Sequence, residues 1–155
     1  MSYSNGEGTL LATLRAHANY DANNTSRGNW KVLNSGKAAY YVVLRPGPAT
    51  FADESIGGGL GAVATRQAEW ITQFMVYQRY RDDSTDAVNL QARVDEIIAH
   101  LDKYRAGGSN TAMRDARVVG LGQMEEIRMG ADGPLYLRWI INVRWHEERQ
   151  VTYSE

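Results

Sequence analysis

The fold is decided by the stretch Leu135-Tyr136-Leu137-Arg138-Trp139-Ile140-Ile141-Asn142-Val143-Arg144-Trp145-His146. Every second side chain is apolar, in the order Leu135, Leu137, Trp139, Ile141, Val143 and Trp145. The side chains between them are mostly polar, and successive side chains of a strand point to opposite faces of its sheet. The pattern predicts a long strand with one buried face and one face that is wet or forms a contact. We expect Trp139, Ile141 and Val143 to be central core residues.

Three further strands are predicted upstream. Gln67 to Arg81 alternates in the same way, with Trp70 and Phe74 on its apolar face. Ala39 to Leu44 is rich in the β-formers tyrosine and valine. Residues 116–127 form a weaker strand, and the turn at 128–134 makes a hairpin with the final strand. A short strand at Trp30 to Leu33 is an additional expectation.

Two helices are predicted. Thr9 to Ala18 places leucines on one face at helical spacing. A longer helix begins near Ser84 or Thr85, which can cap it, and runs to about Tyr104, before two glycines end it. The expected fold class is therefore α+β. It is a four-stranded, mainly antiparallel sheet of two hairpins, with an N-terminal helix and one long helix packed on one face.

Residues 45–65 are expected to form a long loop, because the segment contains two prolines and a run of glycines. Phe51 and Ile56 are two apolar residues of this segment, and Asp53 and Glu54 lie between them. Such a loop would become ordered on docking, burying the apolar pair while the carboxylates meet basic groups. Residues 1–155, this loop included, are expected to be a single domain, with flexible ends at about 1–8 and 148–155.

The composition narrows the function classes. The chain has 155 residues, 43% of them hydrophobic, and charged residues that nearly cancel to a net charge of −1. This balance is unlike that of nucleic-acid binders, which neutralise phosphates with an excess of basic residues. The chain has no cysteine, which excludes disulfides, zinc–cysteine sites and thiol catalysis. A polar N-terminus and the lack of a long apolar run predict neither a secretory signal nor a membrane helix.

No catalytic or cofactor motif is complete. Ser35-Gly36-Lys37 lacks both the earlier glycine and the following hydroxyl of a phosphate-binding loop. The glycines from Gly57 to Gly61 do not fit the dinucleotide spacing. His146-Glu147 lacks the second histidine of a zinc helix motif, because Gln150 occupies its place. We therefore expect no catalytic residues, no cofactor and no metal.

The aromatic residues carry more information. Most of them lie on predicted strands, where core packing is the ordinary explanation, but some fall on the face away from the helices together with arginines. Exposed aromatic side chains and arginines are favoured at protein interfaces. Stacking on nucleic-acid bases is the other use of such a face, and the neutral net charge argues against it. The candidate interface residues are Arg45, Phe51, Asp53, Glu54, Ile56, Tyr77, Arg79, Tyr136, Arg138 and Arg144.

The chain resembles the tail terminator proteins of tailed bacteriophages, also called tail-completion or head–tail joining proteins. The resemblance covers roughly residues 8–148 and rests on the order of elements, the length and the aromatic final strand. Four segments carry it. They are Ala39-Tyr40-Tyr41-Val42-Val43-Leu44, Glu69-Trp70-Ile71-Thr72-Gln73-Phe74, the helix Asn89 to Tyr104, and Tyr136 to Trp145.

The resemblance implies a structural role in the virion and no enzymatic activity. Such proteins form a ring, expected here to be a homohexamer, at the head-proximal end of the tail tube. The ring stops tube polymerisation and offers a surface to the head–tail connector or neck protein. Its partners would be other copies of itself, the tail tube protein and the connector, with genomic DNA passing through the lumen without specific binding. Synthesis would take place in the cytoplasm of the host bacterium, without membrane contact.

Two other classes remain open. The first is another neck or connector subunit of a phage. The second is a ligand-binding or enzymatic α/β cone, in which a curved sheet and a helix enclose a pocket. That class needs acid–base side chains facing inward, whereas the inward strand positions of this chain are almost entirely apolar.

Overall fold

A computed structural model of the chain describes residues 3–28, 38–53, 63–81, 84–103, 113–129 and 131–152. The described residues form two helices and one mixed sheet of six strands. The helices are α1 (Tyr3–Arg15) and α2 (Ser84–Asp102). The strands are β1 (Thr25–Arg27), β2 (Tyr40–Asp53), β3 (Val63–Arg79), β4 (Met113–Leu121), β5 (Glu125–Arg128) and β6 (Leu135–Thr152).

The α+β class is confirmed, but the predicted sheet of four antiparallel strands is wrong. The strand order is β1-β2-β3-β6-β4, and β5 pairs with β6 beside β4. The pairing of β1 with β2 is parallel and all other pairings are antiparallel. The expected strand over 116–127 is divided into β4 and β5, since residues 122–124 leave the strand conformation. The expected strand at Trp30 to Leu33 lies outside the described residues.

The predicted loop over 45–65 is largely a continuation of the hairpin. Strand β2 runs on to Asp53, which pairs with Arg66 of β3, and β3 begins at Val63. The prolines are tolerated because β1 pairs with β2 only as far as Leu44. Beyond that point one side of β2 faces no described strand, so the amide missing from Pro46 breaks no ladder bond there. Residues 54–62 lie outside the described part of the chain.

A β-bulge interrupts β2 between Pro46 and Ala49. Pro46 pairs with Thr72 and Ala49 pairs with Trp70, so β2 advances by three residues where β3 advances by two. An extra residue shifts the alternation of side chains along the bulged strand. Phe51 consequently lies on the same side of the sheet as Trp70, and their rings meet edge to face with centroids 5.3 Å apart.

Regular secondary structure extends into both end segments. Helix α1 begins at Tyr3 rather than Thr9 and ends at Arg15 rather than Ala18. Strand β6 extends beyond His146 to Thr152 and pairs with β3 as far as Val63. Both extensions depend on partners distant in sequence, because the polar residues at each end carry weak local signals.

Both helices pack on one face of the sheet and bury the main core there. The helices contribute Leu10, Leu14, Leu90, Val94, Ile97 and Leu101, and the strands contribute Val42, Leu44, Phe74, Val76, Ile141, Val143 and Trp145. Ile141 and Val143 are buried as predicted, but Trp139 is only partly buried against this core. Its indole nitrogen donates a hydrogen bond to the carbonyl oxygen of Gly122, at 2.7 Å. Among the described residues, Trp145 is the largest fully buried side chain.

A polar network fixes the connection after α1 against α2. The carboxylate of Glu96 accepts hydrogen bonds from the Tyr20 hydroxyl, at 2.7 Å, and from the side-chain amide of Asn19. Arg93 and His17 approach the same carboxylate at 3.3 Å and 3.6 Å. Burial alone would raise the pKa of Glu96, but these hydrogen bonds and the positive charges beside it lower that pKa below its ordinary value of 4.5.

Replacing Glu96 by glutamine is expected to reduce the free energy of unfolding at pH 7 by about 1–3 kcal/mol, since Tyr20 and Asn19 lose a charged acceptor. A carboxylate whose pKa is lowered by folding contributes stability above its unfolded pKa and loses it as the pH falls through the folded pKa. The difference between wild type and Glu96→Gln should therefore shrink as the pH drops below 4.5. Urea unfolding from pH 7 to pH 3 measures it.

Glu126→Gln is the matched control, because Glu126 is an exposed residue of β5. We expect that change to move stability by less than about 0.5 kcal/mol at any of these pH values. A gap between wild type and Glu96→Gln that stays constant down to pH 3 would contradict the electrostatic role of Glu96.

Candidate interface on the outer face of the sheet

The sheet face opposite the helices, called the outer face, is built by the alternate residues of β2, β3 and β6. The register places Tyr41, Tyr77 and Arg138 side by side at one end. Farther along the strands it places Arg45, Gln73 and Asn142 side by side. The sequence alternation predicted these faces of β3 and β6 correctly.

One half of the outer face is buried within the subunit. This covered half consists of Tyr41, Val43, Met75, Tyr77 and Tyr136, each at most 1% exposed. The ring of Tyr136 meets those of Tyr77 and Tyr41 edge to face, at 6.2 Å and 6.3 Å between centroids. The expectation that Tyr77 and Tyr136 are exposed is therefore wrong. Burial raises the pKa of the Tyr77 hydroxyl, although its hydrogen bond with Arg138 opposes that rise.

Arg138 is engaged inside the subunit. Its guanidinium pairs with the carboxylate of Glu125, the residue opposite Arg138 on the adjacent strand β5. Burial would lower the pKa of Arg138, but hydrogen bonds with Glu125 and Tyr77 raise it above its ordinary value. The Nε atom of Arg138 is buried without a hydrogen-bond acceptor among the described residues. These contacts leave Arg138 little freedom to bind another molecule.

The other half of the outer face is accessible. This open half consists of Arg45, Ile71, Gln73, Arg117, Asn142 and Arg144, which are exposed or half-buried. Arg45 donates a hydrogen bond to the side-chain oxygen of Gln73, at 3.1 Å. Arg144 lies between Ile71 of β3 and Arg117 of β4. Among the described residues, neither Arg45 nor Arg144 pairs with a carboxylate.

A contact between a histidine and a carboxylate borders the open half. His146 Nε2 lies 3.1 Å from the carboxylate of Glu69, and these residues are neighbours across β3 and β6. The positive charges of the open half are thus concentrated on Arg45, Arg117 and Arg144. A half-buried arginine on a sheet surface can bind a carboxylate through two parallel hydrogen bonds.

The remaining candidate residues lie elsewhere. Phe51 is 47% exposed but lies on the helix side, against Trp70. Arg79 is half-buried and pairs with Tyr136 in the register of the covered half. Asp53 ends β2, and Glu54 and Ile56 lie outside the described residues.

The structure therefore places Arg45 and Arg144 of the predicted interface together and separates them from Phe51, Tyr77, Tyr136 and Arg138. It adds Ile71, Gln73, Arg117 and Asn142, which the sequence analysis did not select. The signal for Ile71, Gln73 and Asn142 was present in the alternation, because they occupy the same face of β3 and β6 as Arg144.

The comparisons with known proteins give no family for this chain. No protein-family model matches it, and no curated protein matches it. Neither helix of the described part is long and apolar enough to cross a membrane. Within the same residues, no three or more histidine, aspartate or glutamate side chains are grouped so that they could hold a metal ion.

Proposed function

We propose that this protein is a tail terminator subunit of a tailed bacteriophage, which forms a ring at the head-proximal end of the tail tube. The observation that carries the proposal is the open half of the outer face. Arg45 and Arg144 lie there without carboxylate partners among the described residues. Arginine is enriched in protein interfaces, where its planar group binds carboxylates well.

The resemblance of four segments to the tail terminator family supplies the specific role. Three of these segments lie in β2, β3 and β6, at the centre of the sheet. The fourth, Asn89 to Tyr104, coincides with α2 as far as Asp102. The open half consists of arginines, amides and one isoleucine, and such a surface suits the binding of another protein rather than catalysis. The ring would end tube polymerisation, bind the connector and have its place in the virion.

Deletion of the gene from the phage that encodes it tests the proposal. Without the protein, tails should be overlong and should fail to join heads, and the purified wild-type protein added to such an extract should restore infectious particles. Glu126→Gln protein should restore them equally. Electron microscopy of the particles measures tail length and head attachment.

The same experiment distinguishes the nearest alternative. Normal-length tails that remain separate from heads would identify a neck or connector subunit instead. Normal, infectious particles formed without the protein, or purified virions that lack it, would overturn the proposal.

A further inference from the structure

Helix α2 presents an unoccupied stripe to solvent. Its inward side chains, among them Leu90, Val94 and Ile97, are buried against the sheet. The side chains at the opposite positions follow at spacings of three and four residues and are all exposed: Val88, Ala92, Asp95, Ala99 and Asp102. Val88 is the most exposed large apolar residue of the described chain, at 59%. The two alanines make the middle of this stripe flat enough for close approach to another surface.

Two carboxylates are available on this stripe. Asp95 and Asp102 pair with no basic group among the described residues. They are two helical turns apart, which corresponds to about 10.5 Å along the axis. Glu96, by contrast, points to Asn19 and Tyr20 and is fully used inside the subunit.

The open half of the outer face has the complementary charges at a similar spacing. Arg45 and Arg144 are separated by two strand spacings and two residues along the strands. That separation corresponds to about 12 Å between their Cα atoms. Ile71 and Gln73 lie between them and offer a partly apolar floor. A helix whose alanines rest on this floor would bring both of its aspartates within reach of long arginine side chains.

We infer that the open half of one copy binds α2 of a second copy, with Arg45 and Arg144 pairing with Asp95 and Asp102. Both surfaces belong to the same chain, lie on opposite sides of its sheet and are complementary in charge. The contact is heterologous, so each copy uses both surfaces and the association closes into a ring when the rotation between neighbours permits. As an account of the surfaces that join ring neighbours, the inference rests on the proposed function.

Charge reversal on each surface tests the contact. One variant carries Arg45→Glu and Arg144→Glu, and the other carries Asp95→Lys and Asp102→Lys. Wild-type protein is expected to self-associate with rising concentration in analytical ultracentrifugation at low ionic strength. Each variant should associate at least about 100-fold more weakly, because like charges then face each other. An equimolar mixture of the variants should regain association, since every contact between unlike copies again joins opposite charges.

Several results would overturn the inference. They are a wild-type protein that stays monomeric up to millimolar concentration, variants that associate like wild type, and a mixture that fails to associate. Thermal unfolding confirms that each variant is folded. If a reversed charge prevents folding, the neutral pairs Arg45→Gln with Arg144→Gln and Asp95→Asn with Asp102→Asn replace it, with a smaller expected loss of association.

Failure of the inference can be told apart from failure of the proposed function. If the variants lose self-association and purified virions lack the protein, the contact between copies is supported and the proposed phage function is wrong. Variants that restore normal tails as well as wild type does leave the phage role valid and remove the contact.

Discussion

Replacing Trp145 by alanine is expected to lower the free energy of unfolding by about 3–5 kcal/mol. The indole is fully buried, lies over Trp70 with centroids 6.0 Å apart, and stacks on Tyr3 at 5.9 Å. Its Nε1 donates a hydrogen bond to the Thr72 hydroxyl at 3.1 Å. Alanine would leave a cavity beneath α1 and remove that donor. Urea unfolding followed by circular dichroism measures the change.

Trp139→Ala is the matched control, because it removes the same side chain from the same face of the same strand. Trp139 is only partly buried, so its loss should cost about 1–2 kcal/mol. Equal unfolding midpoints for the two variants would show that the accessibility of the two indoles does not determine their contribution.

Replacing Gly6 by alanine is expected to destabilise the protein by about 1–3 kcal/mol. The sign is opposite to that of the usual exchange, since alanine inside an exposed helix is favoured over glycine by about 1 kcal/mol. A methyl group at position 6 would overlap the six-membered ring of Trp145. The helix backbone lies directly against the indole, so either α1 must move away or the ring must leave its site.

Gly8→Ala, in the same helix, separates this clash from helix propensity. A methyl group at position 8 would meet only the end of the Arg27 side chain, at 3.4 Å, and that group can move aside. We expect Gly8→Ala to stabilise the protein by up to about 1 kcal/mol. Thermal unfolding of both variants should give shifts of opposite sign, and two upward shifts would contradict the close packing of Gly6 on Trp145.

Elements with a strong local period could be predicted from the sequence. The sequence of α2 has an apolar stripe, and those of β3 and β6 alternate regularly, so the predicted type and buried face of each element were correct. Strand β1 has three residues and pairs in parallel with a distant segment, which no local pattern reveals. The first turns of α1 contain two glycines and polar residues. They are stabilised by tertiary contacts such as the hydrogen bond between Tyr3 and Thr72, at 3.0 Å.

The candidate interface was predictable to a similar extent. Alternation assigned Arg144 to the outer face but could not show whether that face is covered. In the structure, Tyr77 and Tyr136 are buried, whereas Arg144 on the same face is accessible. The position of Arg45 follows from its pairing with Gln73, one residue beyond the strand end predicted at Leu44.

The bulge between Pro46 and Ala49 reverses which alternate side chains of β2 face the helices. Between Tyr40 and Leu44 the even-numbered side chains of β2 face the helices, whereas beyond the bulge Phe51 does so. Before the bulge, the side chains of β2 that face the helices belong to the main core, whereas after the bulge the alternation of side chains is shifted by one residue. Loss of one residue between Pro46 and Ala49 would set two residues of β2 opposite two of β3 and would keep Phe51 beside Trp70 without a bulge. Regular pairing at the present length would instead turn Phe51 to the outer face, so the extra residue and the bulge must be gained or lost together.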